Sequence, residues 1–244
     1  MSVSMLASTT VRILRQLRHD RRSLALMLLM PLLLLTIVYF MWEGQPAFDR
    51  IALIMLGVFP FVIMFLITAI AVLRERTSGT LERLFTTPVG RLDLLFAYGI
   101  AFGLAALAQS TISVAYAHWV LGMETAGNIG LIVLIAFANA VLGVALGLLC
   151  SAFAQTEFQA AQFMPLVVTP QLLLCGLFVP RNQMAGWLEG VSNMLPMTWS
   201  VKALTEVGTH TNPTSTMWSS LGVVVAVVVA ALMLGALTLR RRTA

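Results

Sequence analysis

The chain has 244 residues, 59% of them hydrophobic and only 10% charged, with a formal net charge of +5 and a mean hydropathy of +0.92. Soluble domains carry about a quarter of their residues as charges, so this composition excludes a soluble enzyme or binding module and defines an integral membrane protein. The basic excess sits in short blocks beside apolar runs and forms no stripe on a polar domain, which excludes nucleic acid as a partner and marks one face of a membrane.

In chain order, residues 1–23 interleave Arg12, Arg15, Arg18, Arg21 and Arg22 with Val11, Leu14 and Leu17. That is the pattern of an amphipathic interface helix lying among lipid headgroups. The uncharged run 24–42 is too long for a signal-peptide core and reads as a first span, with Pro31 as a kink and Tyr39 and Trp42 at its far end. Further spans are predicted over 51–73, 94–120, 129–153, 158–179 and 218–239, the fifth bent at Pro165 and Pro170. The expected fold is a single all-α transmembrane domain, 1–244, of six helices with both termini on one side. The N-terminal arm, the 74–91 segment, the 154–157 turn and the C-terminus hold five, four, no and three basic residues, against Arg50, Arg181 and Lys202 in the opposite loops. The positive-inside rule then places both termini in the cytoplasm.

Between the fifth and sixth spans, the connection 180–217 carries two apolar faces separated by Pro196. Met184, Trp187, Leu188 and Val191 form the first, and Val201, Leu204 and Val207 the second. Two short outer re-entrant helices are expected here, anchored by Trp187 and Trp199, with an ordinary surface loop as the alternative.

The segment 74–91, RERTSGTLERLFTTPVGR, is the charged interruption between the second and third spans. Gly79 can cap a helix, Glu82 falls in its first turn, and Pro88 pushes Thr87 out of helical geometry. Thr80–Thr87 would be about 12 Å long, too short to cross a hydrocarbon core of about 30 Å. Leu81, Leu84 and Phe85 make one apolar face. So short an amphipathic helix needs a partner surface, and both a docking protein and the headgroup layer would supply one.

Motifs for chemistry are absent from the sequence. There is no G-x-x-x-x-G-K-S/T phosphate loop, no nucleophile elbow and no H-E-x-x-H, and His19, His118 and His210 lie far apart. His118, with Ser110 and Ser113 one and two turns deeper, is the one candidate for an intramembrane enzyme, against the commoner interfacial histidine. The predicted span interiors contain no Asp, Glu, Lys or Arg, which disfavours an ion-driven transporter. Thr36, Thr68, Gln109, Ser113, Asn139, Thr169 and Gln171 are the polar groups at depth. They fit interhelical hydrogen bonding, and Gln109, Asn139 and Gln171 are also candidates for a substrate path. Gly99/Gly103 and Gly143/Gly147 have the spacing for close helix approach. Cys150 and Cys175 fall at opposite ends of neighbouring spans, too far apart for a disulfide.

The 74–91 segment resembles the signature between the second and third spans of bacterial ATP-binding-cassette exporter permeases of the type-2 membrane family, the group that includes the daunorubicin/doxorubicin exporter permease. Glu75, Gly79, Thr80, Leu81, Glu82, Pro88 and Arg91 match it in order. By this resemblance the segment is a cytoplasmic coupling helix, with Leu84 and Phe85 among the residues that dock on a separate ATPase subunit. CGLFVPRNQMAGWL at 175–188 and LPMTWSVKAL at 195–204 are similar to later family patterns, although Cys175 stands where Ser is usual and Lys202 and Thr205 where Asp and Arg are often found. The resemblance implies a homodimer or close heterodimer in a bacterial inner membrane, with two ATPase subunits that hold ATP and Mg. It implies no catalytic residue, metal or cofactor in this chain, and outward movement of a hydrophobic substrate such as a drug, lipid or glycolipid. On the residues alone, a lipid-modifying membrane enzyme and an ATP-independent transporter remain open.

Overall fold

The structure, a computed structural model, describes residues 3–43, 45, 47–77 and 91–238, and every element among them is helical. The amphipathic helix α1, Val3–His19, is followed by α2, Arg21–Met41. The break between them is made by Asp20, whose carboxylate accepts from the Ser23 amide at 3.1 Å and the Ser23 hydroxyl at 2.7 Å. These bonds cap α2 and hold the Asp20 carboxyl below its usual range. The predicted interface helix 1–23 therefore ends four residues early, and Arg21 and Arg22 belong to the first turn of α2. Helix α2 runs on through Pro31.

Helix α3, Ala47–Thr77, has 31 residues, a length of about 46 Å that exceeds a hydrocarbon core of about 30 Å. It is followed by α4, Arg91–Trp119, and by α5, Ile129–Ser151, which Asn128 caps through a 2.7 Å bond to the Gly130 amide. The pairing of α3 with α5 is the most extensive in the molecule. Glycine explains it: a Cβ on Gly143 would lie 2.3 Å from the Phe61 carbonyl oxygen, and one on Gly147 would lie 2.6 Å from that of Phe65. Only hydrogen at both positions lets the backbones approach so closely. Around Gly99 and Gly103 there is nothing within 4 Å. The first glycine pair is a packing seam and the second lies on an open face.

Helix α6, Glu157–Leu174, is capped by Thr156, whose hydroxyl accepts from the Gln159 amide at 3.1 Å. A 3-10 turn at Arg181–Gln183 leads to α7, Gly186–Met194, and α8, Pro196–Thr209. Pro196 sits at the start of α8, where its missing N–H costs nothing. The last helix is α9, Ser215–Thr238. Among the described residues five helices, α2, α3, α4, α5 and α9, are long and apolar enough to cross a membrane, so the fold is an all-α multi-pass membrane protein. Where the fifth span is expected, over 158–179, α6 has 18 residues, about 27 Å, with Gln159, Gln162 and Gln171 along it and Pro165 and Pro170 inside. Its polarity and early stop at Leu174 keep it out of that set, so the expected count of six is not reached on length and hydropathy. Cys150 and Cys175 are both free thiols.

Two apolar cores run along the bundle. One gathers Leu53, Leu56, Ile135, Val201, Leu204 and Val224 from α3, α5, α8 and α9. The other gathers Ile13, Met27, Val72, Tyr98, Phe102 and Leu148 from α1 to α5. The chain ends of the first core are tied by amides of the α4–α5 loop: Ala126 donates to Gly208 O at 3.2 Å and Gly127 to Val207 O at 2.9 Å.

Candidate functional site: the two ends of the bundle

At the end that carries α1, Glu75 of α3 is the predicted coupling residue whose side chain is placed. Its Oε2 lies 3.3 Å from the Arg12 guanidinium of α1 and also accepts a hydrogen bond from the Tyr98 hydroxyl of α4. Three helices meet on a carboxylate whose side chain is only 12% exposed. A low-dielectric setting strengthens such charge-assisted bonds and raises the cost of losing any one of them. Arg74, the residue just before Glu75, donates to both oxygens of Glu157 at 3.0 and 3.2 Å, joining the end of α3 to the start of α6. That contact holds the Glu157 carboxyl below its ordinary range.

The predicted docking residues Gly79, Thr80, Leu81, Glu82, Leu84, Phe85 and Pro88 lie outside the described residues. Arg91 is the first residue of α4. The sequence pattern assigns no role to Tyr98 and Glu157, places Arg12 among headgroups and counts Arg74 in the docking segment, whereas here all four make contacts between helices. Arg12 and Glu75 are 63 residues apart in the chain, and only the docking of α1 across α4 makes them neighbours.

In the interior, the three amides proposed for a substrate path have different surroundings. Asn139 of α5 donates to Gly57 O at 2.6 Å and accepts from the Ser200 hydroxyl at 2.8 Å. Gln171 of α6 donates to Val167 O at 3.1 Å and accepts from the Met197 amide at 3.2 Å. Both therefore clamp α8, one against α3 and α5 and the other against α6. Gln109 of α4 is fully buried, and neither of its side-chain polar atoms has a partner among the described residues. His118 donates from Nδ1 to Met123 O at 2.9 Å, closing the turn after α4, and makes no hydrogen bond to Ser110 or Ser113.

At the other end, the two outer helices differ. On α8, Val201, Leu204 and Val207 are buried. On α7, Ser192 alone is buried; Trp187 is 72% exposed and Val191 41%, with Leu188 intermediate, as is Met184 just before the helix. The apolar face of α7 points outward, and the helix is held by polar contacts, Ser192 donating to Leu174 O at 2.8 Å. Trp199 donates from Nε1 to Asn193 O at 2.9 Å and carries Lys202 Nζ 5.4 Å from its ring centre.

Apolar spanning helices around a glycine seam, with a buried ion cluster near the end of the longest helix and a helix clamped by two amides at the opposite end, define a multi-pass helical membrane protein. Residues 5–207 match the family model described as "ABC-2 type transporter", and the chain belongs to that family. It is 27% identical over 137 residues to the linearmycin resistance permease protein LnrN of Bacillus subtilis, covering 56% of this chain and 35% of that protein. It is 28% identical over 133 residues to the inner membrane transport permease YhhJ of Escherichia coli, covering 54% and 36%. A eukaryotic relative, ABC transporter G family member 20 of Dictyostelium discoideum, is 28% identical over 141 residues, which are 58% of this chain and 19% of the relative. The match thus spans well under half the length of each of these relatives.

Proposed function

We propose that this chain is the membrane permease subunit of an ATP-driven exporter. It pairs with a second permease chain, as homodimer or heterodimer, and with two ATPase subunits that carry ATP and Mg. Its cargo is a hydrophobic molecule, a drug, lipid or glycolipid-like compound, moved outward across a bacterial inner membrane. The observation that carries this reading is the family match over residues 5–207. Names of relatives such as the linearmycin resistance permease support a role in efflux.

In this reading the ATPase docks on residues 74–91, and Glu75 is where its stroke enters the bundle. The Arg12 and Tyr98 contacts tie the end of α3 to α1 and α4, so a displacement of the docking segment would move three helices together. The test is co-purification of the permease with an ABC ATPase subunit of the same cell, together with ATP hydrolysis stimulated by the permease. Phe85→Ala removes an aromatic anchor, which at interface hot spots costs about 2 kcal/mol, or about a thirtyfold loss of association. Full retention of the ATPase and of stimulation in that variant would overturn the docking role.

A further inference from the structure

The end of the bundle away from α1 carries only three basic residues, Arg50, Arg181 and Lys202. They come from three separate stretches of chain, the start of α3, the 3-10 turn and α8, and all three line one cavity of about 280 Å³. From this convergence we propose that the cavity is a binding site for a phosphate-type oxyanion, the headgroup of an anionic lipid or a soluble phosphate ester.

Each cation keeps binding capacity. None of the three has a carboxylate within ion-pair distance among the described residues. Arg181 donates one terminal nitrogen to Asn193 Oδ1, while its Nε is buried with no partner among the described residues. A guanidinium with a buried, unused N–H presents the planar fork that oxyanions accept. The Arg181 stem runs past a backbone turn at Gly176. Gly176 has φ +97°, and a Cβ there would meet the Arg181 stem at 3.5 Å. Lys202 is held only by the Trp199 ring, a contact an anion can compete with.

The acidic groups nearby are engaged elsewhere. Glu206 also lines the cavity, but its Oε2 accepts from the Thr214 hydroxyl at 2.7 Å and lies 3.7 Å from His210 Nδ1. Asp49, beside Arg50, accepts from the Glu124 amide at 3.0 Å. Three cations against one committed carboxylate leave a positive cavity. Its volume is just below the range of drug-sized sites, about 300 to 1,000 Å³, and suits a headgroup better than a whole drug.

Binding is read on the purified chain alone, so it fails or succeeds independently of any ATPase. The full chain in non-ionic detergent is titrated with dihexanoyl phosphatidylglycerol, dihexanoyl phosphatidylcholine and glycerol phosphate, bound ligand being counted by native mass spectrometry. Phosphatidylglycerol is expected to bind at least tenfold more tightly than phosphatidylcholine, whose ammonium the cations repel. Arg181→Gln and Lys202→Gln should each weaken it about tenfold, and Glu206→Gln should strengthen it, a gain that misfolding cannot produce. Glycerol phosphate competing at equal strength would support the soluble ester as the source, and its failure beside a binding lipid would support the headgroup. Absence of binding by both, or wild-type affinity in Arg181→Gln and Lys202→Gln together, would overturn the site.

Discussion

Asn139 and Gln109 look alike in the sequence, two uncharged amides deep in apolar runs, yet their surroundings oppose each other. Asn139 gives a second hydrogen bond to a helical carbonyl of α3 and accepts from a hydroxyl of α8 at once, so Asn139→Leu removes both bonds and leaves the buried Ser200 hydroxyl without its acceptor. Interhelical bonds in membranes are worth about 0.6 kcal/mol on average, and an orphaned group costs about 1–3 kcal/mol. We expect Asn139→Leu to lower stability by about 2 kcal/mol in detergent unfolding. Gln109 has no bonds to lose among the described residues, so Gln109→Leu removes a desolvation cost and should be neutral or stabilising by about 1 kcal/mol in the same assay. Loss of transport in a Gln109→Leu protein that is at least as stable as wild type would assign that amide to the substrate path. Depth and residue type were legible in the sequence. What was not is the register of each helix, which decides whether an amide meets a carbonyl, a hydroxyl or nothing.

At the scale of elements, the apolar runs located the helices well because each run is bounded by charge or by a capping residue. Asp20 and Asn128 are such boundaries. The two glycine pairs show where that legibility ends. Gly99/Gly103 and Gly143/Gly147 have the same spacing, but only the second faces a backbone, that of α3 at Phe61 and Phe65. Gly143→Ala forces a methyl into a carbonyl oxygen and should cost about 1–3 kcal/mol, the usual range for overpacking. Gly99→Ala has open space and should gain about 0.5–1 kcal/mol from helix propensity. Thermal unfolding of both variants in one detergent checks the pair, and equal losses would mean that α4 is packed where it is now open. The outer helices were likewise predicted as one type and came out as two, because α8 is clamped by Asn139 and Gln171 whereas α7 is held through Ser192 and its flanks.

At the scale of the molecule, the charges separate by end. Arg12, Arg74, Glu75 and Glu157 form paired networks at the end bearing α1, whereas Arg50, Arg181 and Lys202 gather without carboxylate partners at the other. The first end joins helices through ion pairs, and the second holds its cations without carboxylate partners among the described residues. Twelve basic residues lie in segments assigned to the first side and three to the second, which is the basis for placing both termini in the cytoplasm. That orientation is tested with single cysteines at Thr86, Thr243 and Asn212, introduced after both native cysteines are changed to alanine. An impermeant thiol reagent added to intact cells should label position 212, which lies in the exposed turn between α8 and α9. Positions 86 and 243 should be labelled only after the membrane is opened. Labelling of position 86 in intact cells would invert the molecule, placing the Glu75 cluster outside and the cationic cavity inside, where no exporter ATPase could reach the docking segment.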